Sequence, residues 1–368
     1  AGLAAAAPAA AAIACHHALE EGAAHGSSKD HPEAAARLRA CLGQVTALGL
    51  WGRLKALPRR LASDGELGLC HEASHIQGLE EAATAAEAAG RPLFLPPGGC
   101  FAGGGAPVAP QLATSHGKGR DTFVTSGSLQ AARAAAGGLL ALVDEALAPG
   151  GACRGLGLCR PPGHHAGRGC SEGFCLLNNV AVAAAYARSA HPEQVRRVLV
   201  LDWDVHHGQG TQEIFWRDPG VLYASVHRDG GEGFYPGTGA AEQVGDGAGR
   251  GFTVNVPLPT GYGDGCLWAA CAEVLLPAAR RFRPDLILVS AGFDAVAGDP
   301  LGGCRCTARG FGALTGELRK LAGELCSGRL LLALEGGYDL RTLRACVGEV
   351  CQALAAPEPA EGGAGAPF

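Results

Sequence analysis

The chain has 368 residues, a length that fits two or more domains at about 150 residues each. Hydrophobic residues make up 47% of it, so a large buried core is possible, and its Gly and Pro content stays below that of an unstructured chain. The formal net charge of −5 provides no basic face, so direct nucleic-acid binding is not expected.

The 15 cysteines are scattered along the chain without a Cys-x-x-Cys pair. This pattern fits neither a disulfide framework nor a zinc ribbon, so we expect most of them to be small buried hydrophobes in a reducing compartment. The apolar residues 2–13 lack the basic start of a signal peptide and are too few to span a bilayer, so no membrane partner is expected. The chain has no Met, even at its start, and we expect a trimmed fragment.

In chain order, the sequence begins with an Ala-rich N-terminal segment, residues 1–14, and then predicts a layer of helices. Two helical patterns follow, one that opens at His31 and one that is capped at Asp64. Residues 91–120 are rich in Pro and Gly, and so long a loop is typical of a functional lid or a disordered segment. Residues 128–147 predict a long helix.

Four short apolar runs then predict buried strands that alternate with helices. The strands are expected at 198–201, 221–226, 286–289 and 330–334, and the helices near 180–187, 266–282 and 311–325. Such alternation predicts an α/β fold with a central parallel sheet flanked by helices and with ligands at the C-terminal ends of the strands. The Pro- and Gly-rich tail, residues 356–368, is predicted to be disordered.

A candidate metal site follows the first of these strands, in the segment Asp202-Trp-Asp-Val-His-His-Gly. Residues two apart on an extended chain point to the same side, so Asp204 and His206 can face one ion. Asp294, at the end of another strand, supplies a third ligand. Two carboxylates and one imidazole would leave an open position on a zinc-like ion. The alternative is that these acids cap the crossover helices.

Candidate acid–base groups lie in two further segments. Arg160-Pro-Pro-Gly is a rigid turn that delivers the adjacent His164 and His165, which could share the proton transfers of a hydrolysis. Tyr338, after two glycines and the last strand, could donate a hydrogen bond to a developing oxyanion. The alternatives are ordinary polar histidines and an ordinary Gly-Gly-Tyr loop.

Seven motifs follow one another along residues 31–354. They are RPPGHHA (160–166), GFCLLNN (173–179), DWDVHHG (202–208), FYPGTG (234–239), SAGFD (290–294), DPLGG (299–303) and LEGGY (334–338). Together these motifs resemble those of a known family, the zinc-dependent histone deacetylases. The Pro-Pro-Gly before the two histidines and the double Asn at 178–179 favour class II.

The resemblance implies a single catalytic domain of the arginase/deacetylase-like fold over residues 15–355, and it implies a role for each motif residue. The implied zinc ligands are Asp204, His206 and Asp294. The implied catalytic residues are His165 as general base and later acid, His164 as its partner steadied by Asp202, and Tyr338 as the group that polarises the amide carbonyl.

The resemblance also implies a narrow tunnel for an acetyl-lysine side chain. Its implied residues are Gly173, Phe174 and Tyr235 as walls, Leu301 at the mouth and Asp121 on the rim. A structural K⁺ is implied near Asp202, Asp204, His206, Ser225 and the backbone carbonyls around Val226. The implied partners are an acetylated protein, either a histone tail or a tubulin-like substrate, and a corepressor complex, in the nucleus or the cytoplasm.

Gln209 departs from the family pattern, and Leu301 bears on the choice between substrate classes. Gln209 stands where the family usually has Asp or Asn beside the base, which is expected to affect rate more than reaction class. Leu301 stands where polyamine-selective relatives carry Glu, so acetyl-lysine in proteins is favoured over small acetylated amines. A weakly active acetyl-lysine binding scaffold is the alternative outside enzymes, and the presence of Tyr338 together with all three candidate zinc ligands argues against it.

Overall fold

Helices cover both faces of a large parallel β-sheet in the computed structural model, which describes residues 13–17, 19–26, 31–95 and 121–357. The strands are β1 (Ile13–His17), β2 (Leu54–Ala56), β3 (Leu93–Phe94), β4 (Phe123–Val124), β5 (Arg154–Leu158), β6 (Val198–Asp202), β7 (Val221–Arg228), β8 (Thr253–Leu258), β9 (Leu286–Ala291) and β10 (Leu330–Leu334). The helices are α1 (Leu19–Ala24), α2 (Ala36–Ala47), α3 (Asp64–Leu67), α4 (Ala73–Ala89), α5 (Ser128–Leu147), α6 (Asn179–Ala190), α7 (Gln209–Phe215), α8 (Asp264–Ala270), α9 (Leu276–Phe282), α10 (Ala308–Leu325) and α11 (Leu340–Ala355).

Eight strands form the main sheet in the order β2-β1-β5-β10-β9-β6-β7-β8, and every neighbouring pair is parallel. The four strands predicted from apolar runs are its adjacent central members, β10, β9, β6 and β7. The predicted single α/β domain with a parallel sheet is thereby confirmed. None of the described helices is long and apolar enough to cross a membrane.

Burial on both faces explains why the central strands read as continuous apolar runs. In β10, Leu330, Leu332 and Leu334 join the hydrophobic cluster that contains α2, α10 and α11. The alternate residues Leu331 and Ala333 join the cluster on the other face, with α5 and α6. Side chains alternate between the faces of a strand, so one short apolar sequence serves both layers.

Half of the main sheet was not predicted, because its strands lack a continuous apolar run. In β5, Gly155 and Gly157 interrupt the pattern, and a Cβ on Gly155 would lie 2.7 Å from a methyl carbon of Leu142 on α5. The first part of the chain therefore contributes strands as well as helices. The strand β1 also crosses the boundary predicted after residue 14, so the sheet begins before that boundary.

Several helix boundaries differ from the predicted ones. Ser63, and not Asp64, is the N-cap of α3, where its side chain and that of Glu66 form a capping box. The predicted helix 266–282 contains a π-helical turn, Cys271–Leu275, just before Pro277. Proline lacks the amide hydrogen of a regular helix, so the wider turn accommodates it.

The helix predicted at 128–147 is confirmed as α5. Most of the loop predicted at 91–120, and the tail from 358, lie outside the described residues.

The register of the central strands sets the position of the site. Asp202, the last residue of β6, pairs with Ser290 of β9 on one side and with Ser225 of β7 on the other. The segments after β6, β9 and β10 therefore leave the sheet side by side. This is the edge of a parallel sheet at which ligands bind.

Candidate active site

Three side chains converge in the segments that follow β6 and β9. The Nδ1 atom of His206 lies 3.1 Å from Asp204 Oδ1 and 3.1 Å from Asp294 Oδ2. The candidate ligand atoms of all three residues lie within 4.8 Å of one another. Both carboxylates are fully buried, and the imidazole is partly exposed. The predicted ligand set is therefore brought together with one open side.

Backbone amides orient the two carboxylates. Asp204 Oδ1 accepts from the amide of His206 at 2.9 Å, and Asp204 Oδ2 accepts from the amide of Gly336 at 2.9 Å. Asp294 Oδ1 accepts from the amide of Val205 at 2.9 Å, which leaves its Oδ2 facing the imidazole. These bonds fix which oxygen of Asp294 is presented to an ion.

Two glycines keep the space around the carboxylates clear. A Cβ on Gly292 would lie 1.9 Å from Asp204 Oδ2, and one on Gly336 would lie 2.2 Å from Asp294 Oδ2. Only glycine fits at these positions. Two carboxylates, one imidazole and an open side match the donor set of a catalytic zinc site, so the residues fit the ion.

The histidine pair lies directly beside these groups. His164 Nδ1 lies 3.0 Å from Asp202 Oδ2, and Tyr223 donates to the same oxygen at 3.1 Å. Burial lowers the pKa of His164, but the carboxylates of Asp202 and Asp204 outweigh that effect and raise it to about 10. For His165, burial and the neighbouring His164 lower the pKa well below its usual value. His165 is therefore the neutral member of the pair.

Gln209, the departure from the family pattern, does reach the predicted base. Its Oε1 lies 2.6 Å from His165 Nδ1. Its Nε2 donates to Glu172 Oε2 at 2.8 Å and to the hydroxyl of Tyr235 at 3.2 Å. The extra methylene thus connects the histidine with a carboxylate that sequence reasoning did not single out. Glu172 lies outside any helix or strand, and no sequence pattern marks it.

The residues predicted as tunnel walls lie beside His165 and Tyr338. The ring of Tyr235 lies 4.9 Å from that of His165, and the ring of Phe174 lies edge-on to Tyr338 at 5.6 Å, both measured between centroids. Gly173 and Phe174 adopt φ values of 52° and 69°. A side chain on Gly173 would collide with His165, since its Cβ would lie 2.4 Å from that ring. The sharp turn at these two residues brings the Phe174 ring beside Tyr338.

Asp299 links Leu301, the residue predicted for the tunnel mouth, to Tyr338. Its Oδ1 accepts from the amide of Leu301 at 2.9 Å, and its Oδ2 accepts from the amides of Tyr338 at 2.6 Å and Asp339 at 3.3 Å. The sequence showed Asp299 only as a motif member and gave no role for it. The structure shows that it holds two loops of the site together.

Arg37 and Glu335 hold the two loops that carry Tyr338 and the histidine pair. Arg37 is fully buried, donates to the carbonyl of Gly337 at 2.7 Å, and lies 4.9 Å from the centre of the Tyr338 ring. Glu335 accepts from the amide of Gly163 at 2.6 Å, before the histidine pair. A charged residue directly after an apolar strand was the signal for Glu335, whereas Arg37 lies within a helix and carried none.

The remaining predicted residues are Asp121, for the tunnel rim, and the set predicted for K⁺. Asp121 is half-buried and accepts from the hydroxyl of Thr122, which itself accepts from the amide of Phe174. Asp202 and Ser225 are paired in register at the ends of β6 and β7, and Val226 follows in β7. Asp121 is thus linked through Thr122 to the predicted wall residue Phe174, and Asp202 lies beside Ser225, while the K⁺ ion stays a prediction.

The family profile and the relatives that match this chain all carry the same family description. A family profile described as histone deacetylase domain matches residues 31–354. Histone deacetylase 15 of Arabidopsis thaliana is 40% identical over 334 residues, which cover 90% of this chain and 54% of that protein. Histone deacetylase 10, chloroplastic, of Oryza sativa subsp. japonica is 39% identical over 342 residues, which cover 90% of this chain and 71% of that protein.

A solved structure shares the fold. The crystal structure of the HDA15 HD domain matches with a TM-score of 0.79 at 37% identity, covering 95% of this chain and 91% of that one. The chain spans about half the length of the Arabidopsis relative. The family profile covers most of the chain, and two thirds or more of the rice relative is matched at 39% identity. The chain therefore belongs to the histone deacetylase family.

Proposed function

We propose that this protein hydrolyses the amide of acetylated lysine side chains in proteins, with Asp204, His206 and Asp294 as the ligands of one zinc ion. The convergence of those three side chains beside His165, with the ring of Tyr235 next to that histidine, carries the proposal. When bound, zinc supplies a Lewis acid for the carbonyl and lowers the pKa of water to about 7.

His165 is the proposed general base. Its Nδ1 faces Gln209 Oε1, which can only accept, so Nδ1 must carry the hydrogen. Nε2 is then the nitrogen with a free lone pair, and it accepts the proton of the attacking water. The depressed pKa of His165 agrees with an imidazole that is neutral before the reaction.

Tyr338 and His164 act at the carbonyl oxygen and at the leaving amine of the substrate. The hydroxyl of Tyr338 donates to the carbonyl oxygen as negative charge develops there. His164, held by Asp202, provides positive charge beside His165, and an imidazolium of the pair protonates the lysine amine as it leaves. Tyr338 is positioned for this by Asp299, Arg37 and the edge of Phe174.

The tunnel residues support a protein substrate. The methylenes of a lysine stem gain about 0.8 kcal/mol each on burial between apolar walls, here Phe174 and Tyr235. Leu301 at the mouth provides no charge to pair with a cationic polyamine chain. Asp121 on the rim is proposed to accept from the substrate backbone. Histone tails and tubulin-like proteins are the proposed substrates.

The remaining proposals concern the ion, the partners and the compartment. We propose a structural K⁺ beside Asp202 and Ser225, which predicts a higher thermal midpoint in K⁺ than in a large organic cation at equal ionic strength. A corepressor complex and a nuclear or cytoplasmic location are also proposed. Two of the relatives are named chloroplastic, so imaging of the full-length protein in plastids as well as the nucleus tests the compartment.

Competing substrates test the proposed function. Acetyl-lysine histone and tubulin peptides, acetylspermidine and a non-hydrolysable acetyl-lysine analogue are offered to the zinc-loaded protein. Faster turnover of the peptides supports the proposal. Faster turnover of acetylspermidine would assign the small-amine activity instead, and tight analogue binding without any turnover would assign a binding scaffold.

A further inference from the structure

Glu172 lies two hydrogen bonds away from the proposed base. Its Oε2 accepts from Gln209 Nε2 at 2.8 Å, and the opposite end of the same amide, Oε1, lies 2.6 Å from His165 Nδ1. The carboxylate, the amide and the imidazole form one continuous chain of hydrogen bonds. Glu172 thus reaches the base through Gln209 and is not one of the three candidate zinc ligands.

The amide of Gln209 can serve the base in only one of its two orientations. With Oε1 toward His165, the amide accepts from Nδ1–H, and Nε2 of the imidazole is free to take a proton. With the amide reversed, its N–H groups would face Nδ1, which would then have to accept and so leave the hydrogen on Nε2. That tautomer cannot act as the base through Nε2.

An ionised carboxylate distinguishes these two orientations, because it accepts hydrogen bonds and cannot donate them. Glu172 therefore requires the N–H end of Gln209 on its own side, which places the oxygen toward His165. The hydroxyl of Tyr235, at 3.2 Å from Gln209 Nε2, can donate or accept and so fixes neither orientation. A carboxylate at position 209 would need no such partner, since both of its oxygens accept.

We propose that Glu172 is a positioning residue that fixes the orientation of the Gln209 amide and thereby the tautomer of His165. The proposal rests on the deacetylase function proposed above. Backbone bonds between Glu172 and Cys175, at 3.1 and 2.8 Å, close the local turn without using the Glu172 side chain. Substitution of that side chain therefore leaves the turn in place.

A single substitution and its control separate orientation from simple structural support. In Glu172→Ala the amide of Gln209 loses the contact that orients it, and kcat for an acetyl-lysine peptide is expected to fall about tenfold or more, toward the range that a general base contributes. KM stays within about twofold, because Glu172 is not placed against the substrate. Glu213→Gln, which changes an exposed carboxylate on α7, is the control with unchanged kcat.

The double variant that exchanges the residues at positions 172 and 209 gives the most specific test. Gln209→Glu alone places two carboxylates against each other and lowers kcat. Combined with Glu172→Gln, the same change restores both hydrogen bonds with the carboxylate and the amide exchanged. The carboxylate introduced at position 209 accepts from His165 Nδ1–H and also from the amide introduced at position 172. We expect the double variant to regain at least half of the wild-type kcat. A double variant no better than Glu172→Ala, or a Glu172→Ala with wild-type kcat, would overturn the proposal.

The tautomer provides a readout that does not depend on activity. ¹⁵N shifts of the ring nitrogens, with His165 assigned from a His165→Asn variant, are expected to show hydrogen on Nδ1 in the wild type and a mixture or the reverse in Glu172→Ala. If the wild type deacetylates no substrate but its tautomer responds to Glu172, the proposed function fails and the positioning role holds. An unchanged tautomer in an active enzyme would refute the positioning role alone.

Discussion

Replacing Tyr338 with Phe removes one hydroxyl group and little else. The ring keeps its edge contact with Phe174, its position 4.9 Å from the Arg37 guanidinium, and its backbone bond to Asp299. No hydrogen bond from another described residue to the hydroxyl is lost, so stability is expected to change by no more than about 0.5 kcal/mol. Any large loss of activity in Tyr338→Phe therefore reports on the reaction and not on the fold.

The size of the loss follows from the proposed role of that hydroxyl. One hydrogen-bond donor to a developing oxyanion contributes about 10²–10³-fold in kcat, which corresponds to about 2.7–4 kcal/mol. Tyr338 is the side-chain donor proposed for that oxygen, so the full factor is expected. KM should change little, because the hydrogen bond strengthens only as charge develops.

The assay measures kcat and KM on an acetyl-lysine peptide alongside the thermal midpoint. Tyr186→Phe is the matched control, because it also deletes one tyrosine hydroxyl, here one that donates to Asp144. The Tyr186 side chain packs against the hydrophobic cluster of α5 and α6, away from the site, so kcat should not change. A Tyr338→Phe protein that folds normally and keeps more than about a tenth of wild-type kcat would refute the assigned role, since the loss would fall short of the factor expected for an oxyanion donor.

Three further substitutions test other parts of the site. Asp204→Ala should abolish stoichiometric zinc in elemental analysis, and full zinc retention would contradict the ligand assignment. Leu301→Glu should move the preference from acetyl-lysine peptides toward acetylspermidine in a competition assay, and an unchanged ratio would remove Leu301 from specificity. Asp299→Ala leaves three backbone amides without their charged acceptor, so it should lower the free energy of unfolding by about 3 kcal/mol or more and reduce kcat, as denaturant titration and kinetics would show.

The central strands and the site residues on them were predictable because each carries a local signal. An apolar run followed by a polar side chain marked β6 with Asp202 and β10 with Glu335. The edge strands β2 and β8, the interior strand β1 and the Gly-rich β5 carried no comparable run. Their place in the sheet depends on pairing with distant segments, as when β1 pairs with both β2 and β5.

The contacts that orient the site were less accessible to sequence reasoning than the residues that form it. Arg37 lies in α2, about 300 residues before Tyr338, and its role depends on its contacts with the loop that follows β10. Glu172 acquires a role only through the side-chain conformation of Gln209. The sequence marked Gln209 as unusual, but the length of its side chain alone did not indicate which neighbour its second end contacts.

Metal-dependent deacetylation tests the proposed activity most directly. The purified protein is freed of metal by chelation, assayed on an acetyl-lysine histone peptide, and assayed again as zinc is added in increments. Activity should be absent without metal and reach its maximum at one zinc per chain, and His206→Ala should show no such recovery. Full activity in the metal-free protein, or no peptide deacetylation at stoichiometric zinc, would contradict a zinc-dependent lysine deacetylase.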